Sequence, residues 1–159
     1  MATRECFRVS GQLVTGKPVV DWVAVHLRTF GGYSAATGIG WARHGKIVAG
    51  VVYEDWNGAS VVCHIASDGS RRWLTREFLW TIFDYPFQQL GAKRITVCVA
   101  ENNADSTRFV KNLGFIMEAR LEDAHPTGAI LVFCMKRPDC RFIQMRTSRG
   151  KRNINASAA

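Results

Sequence analysis

No apolar run in this chain approaches the ~20 residues that a membrane-spanning helix needs, which excludes a helical membrane protein. The opening residues, Met1-Ala-Thr-Arg-Glu-Cys-Phe7, lack the apolar core of a secretory signal, so a cytoplasmic location is expected. Paired cysteines are missing too. The five cysteines, at positions 6, 63, 98, 134 and 140, are odd in number and form no C-x-x-C unit. Cys63, Cys98 and Cys134 sit inside apolar runs, the usual place of small buried hydrophobes in a reducing compartment; neither disulfides nor zinc is expected. The four histidines are scattered without metal-ligand spacing, so no metal is expected. Internal repeats and linkers are absent before the C-terminal end.

What is present fits one soluble domain: 159 residues, 47% hydrophobic and 21% charged. The net charge of +8 is unevenly spread, and half of it falls in residues 138–159, where Arg141, Arg146, Arg149, Lys151 and Arg152 face only Asp139. The expected division is therefore a domain over 1–137 and a basic, flexible tail over 138–159. The tail can meet nucleic acid or an acidic partner by charge, or be a solvated end, as its Ser, Asn and Gly content suits. The remaining body is mildly basic, in keeping with a phosphate-bearing ligand.

Periodicity supplies the elements. A short strand is expected near Phe7–Val9. Val19, Val20, Val23, Ala24 and Leu27 recur at helical spacing, with Pro18 at the entry and Gly31-Gly32 as the break. Strands are expected over 39–43, 46–54 and 60–66, separated by His44-Gly45 and Trp56-Asn57-Gly58. Leu74, Phe78, Ile82 and Tyr85 line one face of a helix expected over 72–90, with Pro86 bending or ending it. A strand over 95–100, a helix over 104–112 ended by Gly114, and a hairpin of 115–121 with 129–137 complete the order. Of the five tryptophans, Trp56 is the one expected to be exposed, at a turn where it can admit a substrate; the others belong to the core or its rim.

The run Ala100-Glu-Asn-Asn-Ala-Asp-Ser-Thr-Arg-Phe-Val-Lys-Asn-Leu-Gly-Phe115 is the most informative stretch. It reads as a strand end, a polar cap, a short amphipathic helix and a glycine stop into another strand. Together with Phe83, Phe87, Leu90-Gly91, Arg94, Asn102, Ser106, Phe109 and Leu113-Gly114-Phe115, it resembles the GNAT N-acetyltransferase superfamily. The similarity is strongest to the branch acting on ribosomal-protein N-termini and to small acetyltransferase-like proteins of tailed phages. It spans about Gly38 to Arg137.

The resemblance implies an α+β three-layer fold with a mixed, mostly antiparallel sheet, one splayed strand pair and helices on both faces. It implies acetyl-CoA as co-substrate and an amine acceptor: a protein N-terminus, a lysine or a small amine. It also implies that the usual two helices after the first strand are compressed to one, leaving the acceptor side more open. Pyrophosphate would lie before the long helix, where Ser67-Asp68-Gly69-Ser70-Arg71-Arg72 can offer backbone N–H groups, a helix N-terminus and cations. Two features depart from the family. Its loop glycines align with Trp73 and Thr75, and its proton-donating tyrosine aligns with Phe109, which has no proton to give. The cofactor set is thus Cys63, Ile65, Gly69, Ser70, Arg71, Arg72, Trp73, Leu74, Asn102 and Phe109.

Acetyl transfer to an amine needs a neutral amine, a donor for the developing oxyanion and a proton for the thiolate. A free strand N–H in the Cys63-His64-Ile65 segment can serve the second need, an interaction worth about 3–4 kcal/mol. Candidates for the base are Glu101, favoured for its place beside the cleft, the Glu54-Asp55 pair, and His64, whose ordinary pKa is the most suitable. His64 also reads as a bonded core histidine. Ser106 can protonate the thiolate or polarise the first helical turn. Loss of turnover with retention of the fold as a binding or virion protein is the competing reading.

Overall fold

A computed structural model describes residues 11–29 and 31–144. The strand expected near Phe7–Val9 and most of the basic end lie outside that range. The first described strand is β1, Gln12–Thr15, and the chain then turns at Gly16 into α1, Lys17–Leu27. Pro18 sits in the first turn, where a missing N–H costs nothing. Arg28, left-handed at φ 52, ends the helix. α1 buries Val19, Val20 and Val23 against the glycines of the two strands that follow. A Cβ at Gly50 would stand 2.7 Å from Val23 Cγ2, so only glycine lets the helix sit this close.

Strands β2 (Thr37–Arg43), β3 (Lys46–Glu54) and β4 (Ser60–Ser67) form the expected meander. His44 and Gly45, both with positive φ, make the tight β2–β3 turn. The next helix corrects the expectation: α2 spans Arg76–Asp84 and does not begin at residue 72. Trp73 is drawn into the core, and residues 71–75 fold into a tight turn in which the Leu74 N–H donates to Arg71 O. Thr75 then caps α2 by accepting from the Phe78 N–H at 3.1 Å. Pro86 widens the following turn, Tyr85–Gln89, into a π-helix, because it offers no N–H to the ladder.

After β5 (Arg94–Ala100) comes α3, Ala104–Leu113, capped by Asn103 and stopped by Gly114 at φ 107. The closing hairpin is β6 (Ile116–His125) with β7 (Gly128–Lys136); β6 runs four residues beyond its expected end at Leu121. The packed body also continues past Arg137. Cys140 and Phe142 are buried, and the Phe142 ring stacks on Phe83 at 4.6 Å, so the start of the expected tail belongs to the core.

The strand order is β1-β2-β3-β4-β5-β7-β6, antiparallel throughout except for the parallel β4–β5 pair. Three layers result. α1 covers one face with Val52 and Ala66 beneath it. On the other face α2 and α3 bring Phe78, Ile82, Phe83 and Val110 onto Val51, Val61, Cys63, Ile95, Val97 and Phe133. Each fully buried phenylalanine there contributes about 1.5–3 kcal/mol relative to exposure.

Candidate active site

Only three Cα pairs hold β4 to β5: Ser60↔Arg94, Val61↔Ile95 and Val62↔Thr96. Past them β4 stays with β3 as far as Ser67, and β5 stays with β7 as far as Ala100. The central pair therefore opens, leaving a cleft of about 140 Å³. Cys63, His64 and Ile65 line it from β4, residues 97–100 from β5, Asn103, Ser106, Phe109 and Val110 from α3 and its cap, and Leu27 from the end of α1.

Strand alternation splits this lining between the two faces of the sheet. Cys63, Val97 and Val99 belong to the core on the α2–α3 side. His64 is paired with Val52, which packs under α1, so the imidazole stands on the opposite side. Thr96, and hence Cys98, also faces that way. The gap is lined from both faces of the sheet, by Ser106 and Phe109 on one and by Leu27, His64 and Cys98 on the other.

His64 is not a lone core histidine. Its Nε2 donates to Glu54 Oε1 at 2.6 Å, a diagonal contact across the β3–β4 ladder in which Glu54 opposes Val62. The carboxylate fixes the tautomer and leaves Nδ1 with its lone pair. Tyr33 packs over the imidazole at 4.9 Å, and its hydroxyl hydrogen-bonds Thr29 at 3.0 Å. Burial, chiefly, raises the Tyr33 pKa, with the Thr29 hydrogen bond opposing and the Glu54 charge adding.

The two thiols of the cleft are held protonated. Burial pushes Cys63 up to about 12; Cys98, expected to be a small buried hydrophobe, is exposed instead, though partial desolvation raises it too. A covalent route through either would start from a poor thiolate population.

Glu101, also expected in the site, lies outside the lining. Arg120 grips it with two hydrogen bonds of 2.8 Å, and those bonds, first among the causes, hold its carboxyl below the usual range. Its partner comes from β6, nineteen residues away, a pairing that no local pattern announces. Asn102 is exposed in the turn after β5; Asn103, not Asn102, caps α3 by accepting from the Ser106 N–H at 3.0 Å. Ser106 lines the cleft.

In the loop before α2, Gly69 has φ +86, as an anion nest requires. Its N–H already donates to Ser67 Oγ, and the Ser70 N–H donates to Asp68 Oδ1. Asp68 is correspondingly held low, mainly by its hydrogen bonds from Ser70. Arg71 and Arg72 are exposed, while Leu74 is half-buried. Trp73 lies under the loop, its ring 5.6 Å from Phe109, so two of the family-divergent positions are in contact with each other. The unexpected members of the site are Leu27, Tyr33 and Cys98. Only for Cys98 did the sequence carry a signal, since it alternates with Val97 and Val99.

A sequence profile of the acetyltransferase (GNAT) domain matches residues 32–128, more than half of the chain, and the protein belongs to that family. No curated protein sequence matches it significantly. Solved structures agree on the fold. Spermidine/spermine N-acetyltransferase SpeG from Vibrio cholerae superposes with a TM-score of 0.66 at 13% identity, covering 80% of this chain and 92% of that one. Ard1 from Thermoplasma volcanium gives 0.64 at 14%, covering 80% and 98%. The Salmonella typhimurium yncA structure with acetyl-CoA gives 0.55 at 15%, covering 64% and 65%. Among the described residues no helix is long and apolar enough to cross a membrane, and no cluster of side chains is suited to a metal.

Proposed function

We propose that the protein transfers an acetyl group from acetyl-CoA to a primary amine by direct attack, with both reactants present in the β4–β5 gap. One observation carries this reading: the gap is lined from both faces of the sheet and has a carboxylate-bound histidine on only one of them. The thioester arm would enter from the α2–α3 side, past Phe109 and Ser106, and the amine from the α1 side. The uncharged lining suits a thioester and a neutral amine. The phosphates would lie at the α2 N-terminus beside Arg71 and Arg72, where helix dipole and cations favour them.

In this reading His64 Nδ1 takes the amine proton and Glu54 stabilises the imidazolium. Released β4 amides in the Cys63–Ile65 segment face the carbonyl oxygen as its charge develops. Ser106 donates a hydrogen bond to the leaving sulfur and relays to it a proton from water, so that its own hydroxyl is restored; Phe109 has none to give. The protonated state of Cys63 and Cys98 supports direct transfer over an acyl-cysteine route. Glu101, tied to Arg120 and held acidic, is left out of the chemistry.

A second reading, a GNAT fold kept for binding alone, draws support from the Gly69 and Ser70 amides already occupied by side chains. Titration with CoA by calorimetry, followed by thiol release with mixed peptide and small-amine acceptors, separates the two. Binding with turnover supports transfer; binding without turnover on any acceptor supports the relic.

A further inference from the structure

Among the described residues, nothing covers one face of the sheet beyond the gap. α1 packs on β1 to β4, and α2 and α3 cover the opposite side. By register, Cys98 and Ala100 of β5 share the bare face with Val132 and Ile130 of β7 and with Ala119 and Leu121 of β6. Ile116, opposite Cys134, lies there as well. Ile116 is 68% and Leu121 48% exposed. The Arg94–Glu118 pair crosses this face over Cys134 and sets Ile116 apart from the rest of the strip. An apolar strip of this kind marks a surface that something covers.

The strip is continuous with the cleft, because Cys98 belongs to both. Two other occupants fit poorly. Residues 145–159 have Met145 and Ile154 as their only large apolar side chains among Arg, Lys, Ser and Asn. A second copy adding edge to edge would meet a β6 whose register shifts at Met117/Ala119 and again at Leu121/His125, irregularities that blunt strand pairing. A small amine would leave the strip in water. From the gap to β6 is two strand spacings, about 10 Å, or roughly three extended residues.

We infer that the acceptor is a polypeptide terminus, with its α-amine at His64 and apolar side chains at its second to fourth residues lying across Cys98, Val132 and Leu121. This inference rests on the transfer reading above.

The test compares wild type with the variant Leu121→Ser, whose exposed position lies away from His64. Two acceptors are used: the peptide amide Ala-Val-Leu-Phe-Lys-Lys and the small amine benzylamine. The ratio of kcat/KM for the peptide to that for benzylamine should fall about tenfold in the variant, as loss of roughly 1.4 kcal/mol of apolar contact implies. Equal losses on both acceptors, or none, overturn the inference. Should neither acceptor be turned over, the transfer reading falls, and fluorescence anisotropy with the labelled peptide still decides the docking. Weaker binding by the variant upholds it, and equal binding overturns it. A dimer in sedimentation that the variant dissolves would give the strip to a second copy and would also overturn it.

Discussion

Replacing His64 by Gln removes the only cleft-lining group with a suitable lone pair while keeping a polar side chain beside Glu54. A positioned base contributes about 10²–10⁴ in rate. The His64 side chain is 25% exposed, so water can reach the amine in its place, and the lower end, about hundredfold in kcat, is the expectation. KM for acetyl-CoA should stay put, because the imidazole stands at the amine's mouth of the gap. The variant's rate should then climb about tenfold per pH unit until the acceptor amine itself is neutral, each unit being one decade in free-amine concentration. Stability should drop by no more than about 1 kcal/mol, or roughly 2–4 °C in Tm, since the lost hydrogen bond is partly solvated. Thiol release followed with a chromogenic disulfide at several pH values reads all of this. Turnover within twofold of wild type with the same pH profile would remove His64 from the chemistry and reopen the place of the base.

Phe109→Tyr returns a phenol to the mouth lined by Ser106 and should raise kcat several-fold, as an added general acid does; an unchanged or lower kcat would show that the ring does not stand beside the leaving sulfur. Gly50→Ala places a methyl 2.7 Å from Val23 and should cost about 1–3 kcal/mol in urea unfolding; a neutral result would mean that α1 can lift away from β3. Glu101 and Glu118 are both held below their ordinary value of 4.5, chiefly by hydrogen bonds from Arg120 and Arg94. Their folded values lie below their unfolded ones. The stability they add is complete above pH 4.5 and is lost as pH falls through the folded values. Urea midpoints should therefore decline from about pH 5 to pH 3, and Arg120→Gln should flatten that slope. A slope unaffected by the substitution would mean that the pairing does not form in solution.

Where side chains repeat with one period, the chain could be read directly. Val19, Val20 and Val23 announced α1, Phe78 and Ile82 the body of α2, and Leu113-Gly114-Phe115 the stop of α3. Ends were harder, because tertiary contacts move them. Trp73 sits where a helical face would continue, but its burial against Phe109 pulls residues 71–75 out of the helix and shifts the start to Arg76. Cys140 and Phe142 looked like the start of a basic tail; the Phe83 ring that receives Phe142 is 59 positions earlier in the chain. The site shows the same division. The opening of β4 from β5, with His64 and Ser106 in it, followed from the family resemblance and not from periodicity. The Glu54–His64 bond needed the β3–β4 register, and the Arg120 grip on Glu101 needed a strand from the far edge of the sheet.

Hydrogen exchange in the peptides covering 61–67, 95–101 and 103–110, with and without CoA, bears most directly on the open strand pair. Edge amides freed where β4 leaves β5 should exchange fast in the free protein and slow markedly when CoA is bound, together with the first turns of α3. Exchange that is already slow without ligand, or CoA protection that falls elsewhere and leaves these three segments untouched, would contradict the account.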